Sequence, residues 1–398
     1  MSLRSALDQS SVVIPVSLHE ALPLVAPRPV VKGKFLFVGD EKFLARGVIY
    51  GPFRPDQHGC AYHDSDLARR DFAAMAAEGI NCIRTYTCPP RWLLDVAAEH
   101  GLRVLVGVGL AGEQLTAFLD NRKSVRSIFR RCAEEVRACA AHPALLAYSI
   151  GNEIPSTIVR WHGRRRVERF LSELCDVVRR HDSDGLVTYV NYPTTEYLQL
   201  PFLDFLSYNV YLESPDRFEA YLARLQNIAD YKPLVMAEIG LDSLRNSAET
   251  QARALRWQIA ASFTGGCAGA FIFAWTDEWH TGGADVENWK FGITDVLRRP
   301  KPALRAVSEA FAQAPLPITP PLPRISVVVC THNGSRTIRN CLEGCARLRY
   351  PNYEVIVVND GSTDSTARIV QDFDVRLINM PSGGLSRARN TGLDAATS

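Results

Sequence analysis

From Ala45 to about Phe311, short apolar runs alternate with segments in which apolar residues recur every three or four positions. Short apolar runs bounded by turn residues are typical of buried strands, and the longer period is typical of amphipathic helices. The pattern predicts eight strands, at residues 46–50, 81–86, 103–108, 145–150, 186–191, 205–211, 234–238 and 269–275. It predicts helices at residues 66–78, 90–100, 124–141, 165–181, 216–230, 248–264 and 301–312. The connection between the fifth and sixth strands has room for only one turn of helix.

Strands that alternate with helices indicate an α/β protein with a parallel sheet. Eight such units over about 270 residues match a (β/α)₈ barrel in number and size. The alternative is an open doubly wound sheet, but its edge strands tend to be shorter and more polar than these runs. We therefore predict a closed barrel over residues 33–313, preceded by an N-terminal extension of residues 1–32.

A second domain follows a linker at residues 314–323, where five prolines predict a stiff, extended spacer. After the linker the alternation resumes, with strands predicted at 325–330, 354–359 and 375–379 and helices at 335–348 and 365–372. This pattern predicts a partial open α/β domain over residues 324–398. Because the 75 residues after Pro323 are few for a complete open α/β domain, we expect the chain to be the front part of a longer protein.

Composition and charge are those of a soluble globular protein, with 46% apolar residues and a formal net charge of +2. Nucleic acid is not indicated as a partner, because the charges are interspersed. Ten scattered cysteines without paired metal knuckles predict free thiols in a reducing compartment. The first thirty residues do not read as a signal peptide, so we expect a cytoplasmic protein. Residues 257–276 lack charged side chains, but Gly265, Gly266 and Gly269 divide this stretch into a helix end, a turn and a strand.

Two glutamates, Glu153 and Glu238, lie where the fourth and seventh predicted strands end. Active sites of (β/α)₈ barrels lie at the carboxyl ends of the strands. Cleaving a glycosidic bond with retention needs a carboxylic acid and a carboxylate about 5 to 5.5 Å apart. We predict that Glu153 is the acid/base and Glu238 the nucleophile. Asn152, directly before the acid, could donate a hydrogen bond to a sugar hydroxyl.

These positions resemble the large clan of retaining (β/α)₈ glycosidases that includes the β-galactosidase, β-glucuronidase and cellulase families. The segment Asn-Cys-Ile-Arg-Thr at 81–85 is similar to the second strand of the β-galactosidase and β-glucuronidase group, which implies that Arg84 supports the nucleophile. The segment at 206–211 is similar to the sixth strand, which implies a tyrosine on the nucleophile; Tyr211 is the better candidate and Tyr208 the second. The resemblance also implies that Trp275 forms the floor of the central sugar site.

Each of these assignments has a structural alternative. Arg84 could be an ordinary ion-pair partner, and Trp275 could be plain core. A spacing of three places Tyr208 and Tyr211 on opposite faces of a regular strand, so at least one of them is expected to pack rather than bind. Asn191, at the end of the fifth predicted strand, is a further candidate for binding substrate. Residues 277–280, which follow the eighth strand, could line the pocket or form a solvated loop.

Three segments of the second domain, in order, resemble the opening of family 2 inverting glycosyltransferases. They are residues 325–334, 355–364 and 383–390. The resemblance implies that Thr331, Asp360 and Arg387 contact the nucleotide of a nucleotide sugar. It also implies Mg²⁺ or Mn²⁺ for the complete transferase, whose Asp-x-Asp motif and catalytic base are expected after residue 398. We therefore do not expect this chain to transfer sugar alone.

The leading hypothesis is a retaining β-glycoside hydrolase or transglycosylase that acts on an oligosaccharide or polysaccharide and is fused to a glycosyltransferase. The alternative is a catalytically silent barrel that binds glycan for the transferase. No cofactor or metal is predicted for the barrel, because the spacing of His58, Cys60, His63 and Cys88 fits no standard zinc signature. Membrane contact is expected only through segments beyond this chain, at the cytoplasmic face of the inner membrane. Residues 161–166, rich in arginine, are interpreted as a solvated helix start, with contact to an acidic or extended glycan as the alternative.

Overall fold

Contacts between residues divide the chain into two units, residues 1–316 and residues 317–398. The computed structural model describes residues 27–110, 119–315, 322–348 and 350–398. Most of the predicted linker at 314–323 therefore lies outside the described residues, as does most of the predicted N-terminal extension.

The first unit opens with a small antiparallel sheet that the sequence pattern did not predict. Its strands are β1 (Pro29–Lys32), β2 (Phe35–Val38) and β3 (Glu41–Phe43). Gly33 and Gly39 adopt positive φ angles of 59° and 62° at the two turns. Strands of three or four residues are too short to establish a hydrophobic period, which explains why this sheet was missed. It begins at Pro29, four residues before the boundary predicted at residue 33.

Eight parallel strands then close into a barrel, as predicted. The strands are β4 (Ala45–Ile49), β5 (Cys82–Thr85), β6 (Arg103–Leu110), β7 (Leu145–Asn152), β8 (Val187–Asn191), β9 (Leu206–Asn209), β10 (Leu234–Ile239) and β11 (Gly269–Ile272). Each pairs with its neighbour in chain order, and β11 pairs with β4 to complete the circle. The strands are buried on both faces, by the barrel interior and by the helices, and this explains their continuous apolar sequences.

Helices surround the barrel and connect its strands. They are α1 (Ser65–Ala77), α2 (Arg91–Glu99), α3 (Arg122–Cys139), α4 (Ser156–His162), α5 (Arg164–His181), α6 (Pro215–Ala229), α7 (Ser243–Asn246), α8 (Ala248–Thr264) and α9 (Pro302–Ala312). The short helices α4 and α7 were not predicted. Between β8 and β9 the described chain has only a 3₁₀ turn at Pro193–Thr195, in agreement with the short connection expected there. A two-stranded hairpin, β12 (His280–Thr281) and β13 (Ala284–Asp285), follows β11.

The uncharged stretch at 257–276 is divided between the end of α8, a turn and strand β11. Among the helices that the structure describes, none combines the length and apolar character needed to cross a membrane.

The second unit contains a parallel sheet of three strands in chain order, β14 (Ile325–Thr331), β15 (Tyr353–Asp360) and β16 (Arg376–Met380). Helices α10 (Ile338–Ala346), α11 (Thr366–Val370) and α12 (Leu385–Ala395) connect and follow these strands. The three predicted strands and the two predicted helices are present. The central strand β15 is the most buried of the three, and its apolar residues contact helices on both sides of the sheet.

Closure of the barrel depends on a glycine. Gly47 of β4 is opposite Phe271 of β11, and a Cβ atom at Gly47 would overlap the buried ring of Phe271. Because glycine has no side chain, β4 and β11 can pair while the Phe271 ring lies against Gly47. Similar close approaches of backbone and side chain are a recurrent reason for glycine within strands.

We predict that Gly47→Ala lowers the free energy of unfolding by about 1 to 3 kcal/mol, because the added methyl group overpacks the junction. The matched control is Gly344→Ala in α10, where no atom lies within 4 Å of the added methyl group. This control should be neutral or slightly stabilising. Chemical denaturation followed by circular dichroism measures both changes. Equal effects of the two substitutions would contradict the role given to Gly47, and Gly47→Ala/Phe271→Leu should recover part of the loss.

Candidate active site

Glu153 and Glu238 line one cavity of about 730 Å³ at the carboxyl ends of the barrel strands. Glu153 directly follows β7 and Glu238 lies in β10, and these two strands are not adjacent in the barrel. Other polar side chains of the lining include Asn152, Tyr86 and Tyr211. The closed barrel thus brings together two carboxyl groups that are 85 residues apart in the sequence.

Glu238 is almost completely buried, with 5% of its surface exposed, and three side chains donate hydrogen bonds to its carboxylate. Arg84 Nη1 lies 2.7 Å from Oε1, and the Tyr86 hydroxyl donates to the same oxygen. The Tyr211 hydroxyl lies 2.6 Å from Oε2. A buried carboxylate is costly unless it is paired and hydrogen-bonded, and these donors meet both conditions. They satisfy the buried carboxylate and fix its position.

Arg84 connects Glu238 to other strands of the barrel. The side chain is 1% exposed and donates to Ala237 O at 3.0 Å, to Glu238 at 2.7 Å and to Asn152 Oδ1 at 2.7 Å. Its guanidinium lies 4.6 Å from the centre of the Tyr86 ring. One arginine on β5 therefore fixes groups on β7 and β10.

Glu153 has a different environment from Glu238. It is half-buried and accepts one hydrogen bond, from Asn209 Nδ2 at 2.8 Å. Removal from water, followed by the negative charge of Glu238, raises the pKa of Glu153 above its ordinary value. The Asn209 hydrogen bond and the Arg84 charge act in the opposite direction. The two carboxyl groups therefore lie in different environments, and environments that differ in this way can give two carboxyl groups different pKa values.

Adjacent side chains of a regular strand point to opposite faces, yet Asn152 and Glu153 both line the cavity. The backbone at Glu153 has a φ of 45°, in the left-handed region that residues other than glycine rarely adopt. This turn ends the alternation of β7 and lets consecutive side chains share one site. The Glu153 N–H donates to Val190 O at 2.9 Å, which fixes the turn to the next strand.

Aromatic side chains form one wall of the cavity. Phe273, which directly follows β11, contacts the rings of Trp279, Trp289 and Phe291 with centroid distances of 4.9, 6.4 and 5.3 Å. Tyr211 also packs edge-on against Phe273 at 6.3 Å. Trp279 belongs to residues 277–280, which the sequence raised as possible lining. This wall gives an apolar surface beside the two carboxyl groups.

The structure does not bring three of the predicted substrate-binding residues to this cavity. Asn191 accepts hydrogen bonds from Tyr192 N at 2.9 Å and Thr195 Oγ1 at 2.6 Å, so it holds the turn after β8. Tyr208 lies with Asn191 in the lining of a separate cavity of about 620 Å³. The spacing of three between Tyr208 and Tyr211 has the expected consequence that only one of them, Tyr211, reaches Glu238.

Trp275 also lies away from the two glutamates. It is 2% exposed and borders a different cavity of about 510 Å³, together with Asp71 and Arg298. The aromatic residue that follows the eighth strand at the active-site cavity is Phe273. Strand β11 ends at Ile272, three residues before Trp275. The alternation of side chains along a strand therefore does not predict the direction of the Trp275 side chain.

Tyr86 and Asn209 are site residues that the sequence analysis missed. A two-residue spacing could have found both: Tyr86 follows Arg84 by two, and Asn209 precedes Tyr211 by two. Residues two apart in a strand share a face. Arg84 and Tyr86 both donate to Glu238, whereas Asn209 donates to Glu153 and Tyr211 to Glu238.

Among the described residues, no three His, Cys, Asp or Glu side chains are grouped so that they could hold a metal ion. Of the four residues considered for zinc, His63 lies 3.0 Å from Glu278, and Cys88 Sγ lies 3.3 Å from Cys139 Sγ.

The predicted nucleotide-binding residues of the second unit lie at the carboxyl edge of its sheet. Thr331 ends β14 and Asp360 ends β15. Both Asp360 oxygens accept backbone N–H groups, from Gly383 at 2.7 Å and Gly384 at 2.9 Å. Arg387, one turn into α12, is exposed. The segment that contains Gly383 and Gly384 therefore packs against the strand end where open α/β sheets bind ligands.

Comparison with solved structures supports the fold of the first unit. A β-galacturonidase of Eisenbergiella tayi bound to galacturonate aligns with a TM-score of 0.58 and 23% identity, over 72% of this chain and 54% of that one. The β-glucuronidase of Lactobacillus rhamnosus aligns with a TM-score of 0.60 and 20% identity, over 73% of this chain and 53% of that one. The chain spans about half the length of these proteins, and identities this low establish the fold alone.

Curated relatives match the second unit. The glycosyltransferase GlyA of Streptococcus pneumoniae is 40% identical over 76 residues, which are 18% of this chain and 11% of that protein. The uncharacterized glycosyltransferase EpsJ of Bacillus subtilis is 36% identical over 80 residues, 19% of this chain and 23% of that protein. The chain covers less than a quarter of either relative.

Two family matches together cover most of the chain. Residues 326–398 match glycosyl transferase family 2. Residues 30–312 match the TIM-barrel domain of glycosyl hydrolases family 2, the region whose closed barrel holds Glu153 and Glu238 in one cavity. The chain therefore belongs to glycosyl hydrolase family 2 through its barrel and carries a glycosyltransferase family 2 region after it.

Proposed function

We propose that the barrel is a retaining β-glycoside hydrolase or transglycosylase, with Glu238 as the nucleophile and Glu153 as the acid/base. The observation that carries this proposal is the asymmetry of the two carboxyl groups in one cavity. The Glu238 carboxylate accepts hydrogen bonds from Arg84 and two tyrosine hydroxyls, while burial and the neighbouring negative charge raise the pKa of Glu153. A double displacement needs this combination.

In the first step of this reaction, a Glu238 oxygen bonds to the anomeric carbon as the bond to the leaving oxygen breaks. Glu153 gives its proton to that oxygen, so the leaving group departs as a neutral alcohol. In the second step, Glu153 takes a proton from water or from a sugar hydroxyl, whose oxygen displaces Glu238. Water gives hydrolysis, and a sugar hydroxyl gives transglycosylation. The configuration of the sugar is retained because it is inverted twice.

The donors on Glu238 favour one of its two oxygens for the attack. Oε1 accepts from both Arg84 and Tyr86, whereas Oε2 accepts only from Tyr211. Since each carboxylate oxygen has about two acceptor positions, Oε2 is the oxygen with one still free. Arg84 and Tyr86 would then remain on the carbonyl oxygen of the glycosyl ester. When that ester breaks, the same donors stabilise the returning carboxylate charge.

The substrate we propose is a β-linked oligosaccharide or polysaccharide. The aromatic wall of Phe273, Trp279, Trp289 and Phe291 supplies broad apolar surface beside the carboxyl groups, which suits a sugar face. The similar solved structures are named as β-galacturonidases and β-glucuronidases, which also cleave β-linked sugars. A panel of aryl β-glycosides identifies the sugar, and products formed with added oligosaccharide separate hydrolysis from transglycosylation.

For the second unit we propose a part in a nucleotide-sugar-dependent glycosyltransferase that requires Mg²⁺ or Mn²⁺. The match to family 2 glycosyltransferases and the position of Thr331 and Asp360 at the strand ends support this proposal. The described residues do not group three metal-binding side chains, and the Asp360 carboxylate is occupied by two backbone amides. No step of transfer is therefore assigned to residues of this chain.

The roles of the two glutamates are tested by replacing each with alanine and adding azide. Glu238→Ala should lower turnover of an aryl β-glycoside by on the order of 10⁴-fold or more, and azide should restore it with an α-glycosyl azide as product. Glu153→Ala should cost about 10²- to 10⁴-fold, and azide should give the β-glycosyl azide. The products differ because only the second variant still forms the intermediate on Glu238. If no glycoside is turned over by the parent protein, the silent barrel is the better description.

The raised pKa of Glu153 predicts the alkaline limb of the pH profile. Because a raised pKa keeps the carboxyl group protonated to higher pH, kcat/KM should stay high above the ordinary glutamate range and fall as Glu153 loses its proton. With a highly activated aryl leaving group, Glu153→Gln should abolish this limb, because no titratable acid remains. A limb that persists unchanged in Glu153→Gln would assign it to another group.

Tyr86 and Tyr211 are tested by single replacements with phenylalanine. Each change removes one hydrogen bond to a charged carboxylate, so kcat/KM should fall by roughly tenfold or more. The matched control is Tyr208→Phe, which removes a hydroxyl from the same strand as Asn209 but outside the cavity. This control should change kcat/KM less than about twofold. A loss in Tyr208→Phe equal to that in Tyr86→Phe would mean that the effect is structural.

A further inference from the structure

The positive charge of the chain is concentrated in one region. Residues 119–169 contain eleven Arg and Lys but only five Asp and Glu, although the whole chain has a net charge of only +2. The rest of the chain is therefore net negative. Such a local excess of one sign creates a field that attracts oppositely charged surfaces.

Nine of these basic side chains are exposed on three helices, and we call the surface formed by seven of them the basic face. It consists of Arg122, Lys123, Arg126 and Arg130 of α3, Arg160 of α4, and Arg165 and Arg169 of α5. Within the described part of the chain, none of the seven forms an ion pair, whereas neighbouring Arg164 and Arg166 pair with Glu168 and Asp120. Among the described residues, ion pairs therefore leave the charge of the basic face uncompensated.

Direct contacts show that the three helices form one surface. Asp120, next to the N-cap of α3, accepts from Trp161 Nε1 of α4 at 3.2 Å and from Arg166 of α5 at 2.9 Å. Further along, Phe129 of α3 and Phe170 of α5 stack with a centroid distance of 5.4 Å. The basic side chains therefore belong to adjoining helices rather than to separate parts of the barrel.

Trp161 lies on this surface and is 73% exposed. An indole so exposed leaves a large apolar ring in water, and its N–H is already bonded to Asp120. Exposed tryptophan beside arginine and lysine is the composition that binds at the headgroup level of membranes, where the ring enters the interface and the cations meet anionic lipids. Charge alone would attract any polyanion, but the apolar ring adds a preference for a lipid interface.

We propose that the basic face, with Trp161, docks the protein on an anionic lipid membrane. Helices α3 and α4 follow strands β6 and β7, so the basic face begins at the end of the barrel where Glu153 and the cavity lie. Docking there brings that end of the barrel to the lipid surface, where membrane-bound glycans are displayed. The binding itself does not depend on the proposed catalysis. With this proposal, residues 161–166 are part of a membrane-binding surface and not only a solvated helix start.

The test is co-sedimentation of the full chain with vesicles of phosphatidylcholine alone or with 30 mol% phosphatidylglycerol (~0.1 M salt, a Debye length of about 10 Å). We expect binding only to the anionic vesicles and weakening as salt rises. Arg160→Gln/Arg165→Gln/Arg169→Gln should lower the partition coefficient by roughly fivefold per charge. Trp161→Ala should weaken binding as well, and Trp161→Phe should retain most of it because the apolar ring is kept.

The matched control removes three exposed charges elsewhere in the first unit, with Lys42→Gln/Arg217→Gln/Arg253→Gln. It should bind like the parent, and circular dichroism should show that all variants remain folded. Equal binding to both kinds of vesicle, or equal loss in the two triple variants, would overturn the proposal. So would binding to polygalacturonate or to single-stranded DNA without binding to the anionic vesicles, because the basic face would then serve a polyanion.

Discussion

The buried ion pair between Arg84 and Glu238 is the interaction on which the candidate active site depends. It connects β5 and β10 through the barrel interior, and Arg84 also reaches Asn152 at the end of β7. Removing one partner of a buried pair leaves an uncompensated charge and typically costs about 3 to 5 kcal/mol. The pair therefore requires the strand ends to stay in register, and any reaction at Glu238 takes place on a carboxylate whose position is set by the fold.

Most of the fold was predictable from the sequence because each barrel strand is buried on both faces. Such strands appear as short apolar runs, and eight of them separated by helical patterns leave few architectures other than a barrel. That Glu153 and Glu238 lie in one cavity was predictable for the same reason, since the ends of parallel strands meet at one face. The strands of the second unit were found through similar apolar runs, and Thr331 and Asp360 lie at their ends as expected.

The features that could not be predicted lie where the chain has no regular helix or strand periodicity. The small sheet of β1, β2 and β3 has strands too short to show a period. Beyond the end of β11 the chain leaves the barrel, so the sequence could not show that Phe273 rather than Trp275 faces the cavity. At Glu153 the left-handed backbone ends the alternation, so Asn152 and Glu153 share a site that strict spacing would divide. Asn191 also lies at a strand end, but its side chain accepts hydrogen bonds from residues of the turn that follows β8.

The two glutamates show how one barrel can hold identical side chains in different environments. Arg84, Tyr86 and Tyr211 surround Glu238, whereas Glu153 receives a single hydrogen bond from a neutral amide. Since the charge on Glu238 is one cause of the raised pKa of Glu153, the two sites are coupled. Neutralising Glu238, as a covalent bond to sugar would, removes that charge and makes Glu153 more acidic. Glu153 would then be better suited to exist as the carboxylate that accepts a proton in the second step, without any movement of the protein.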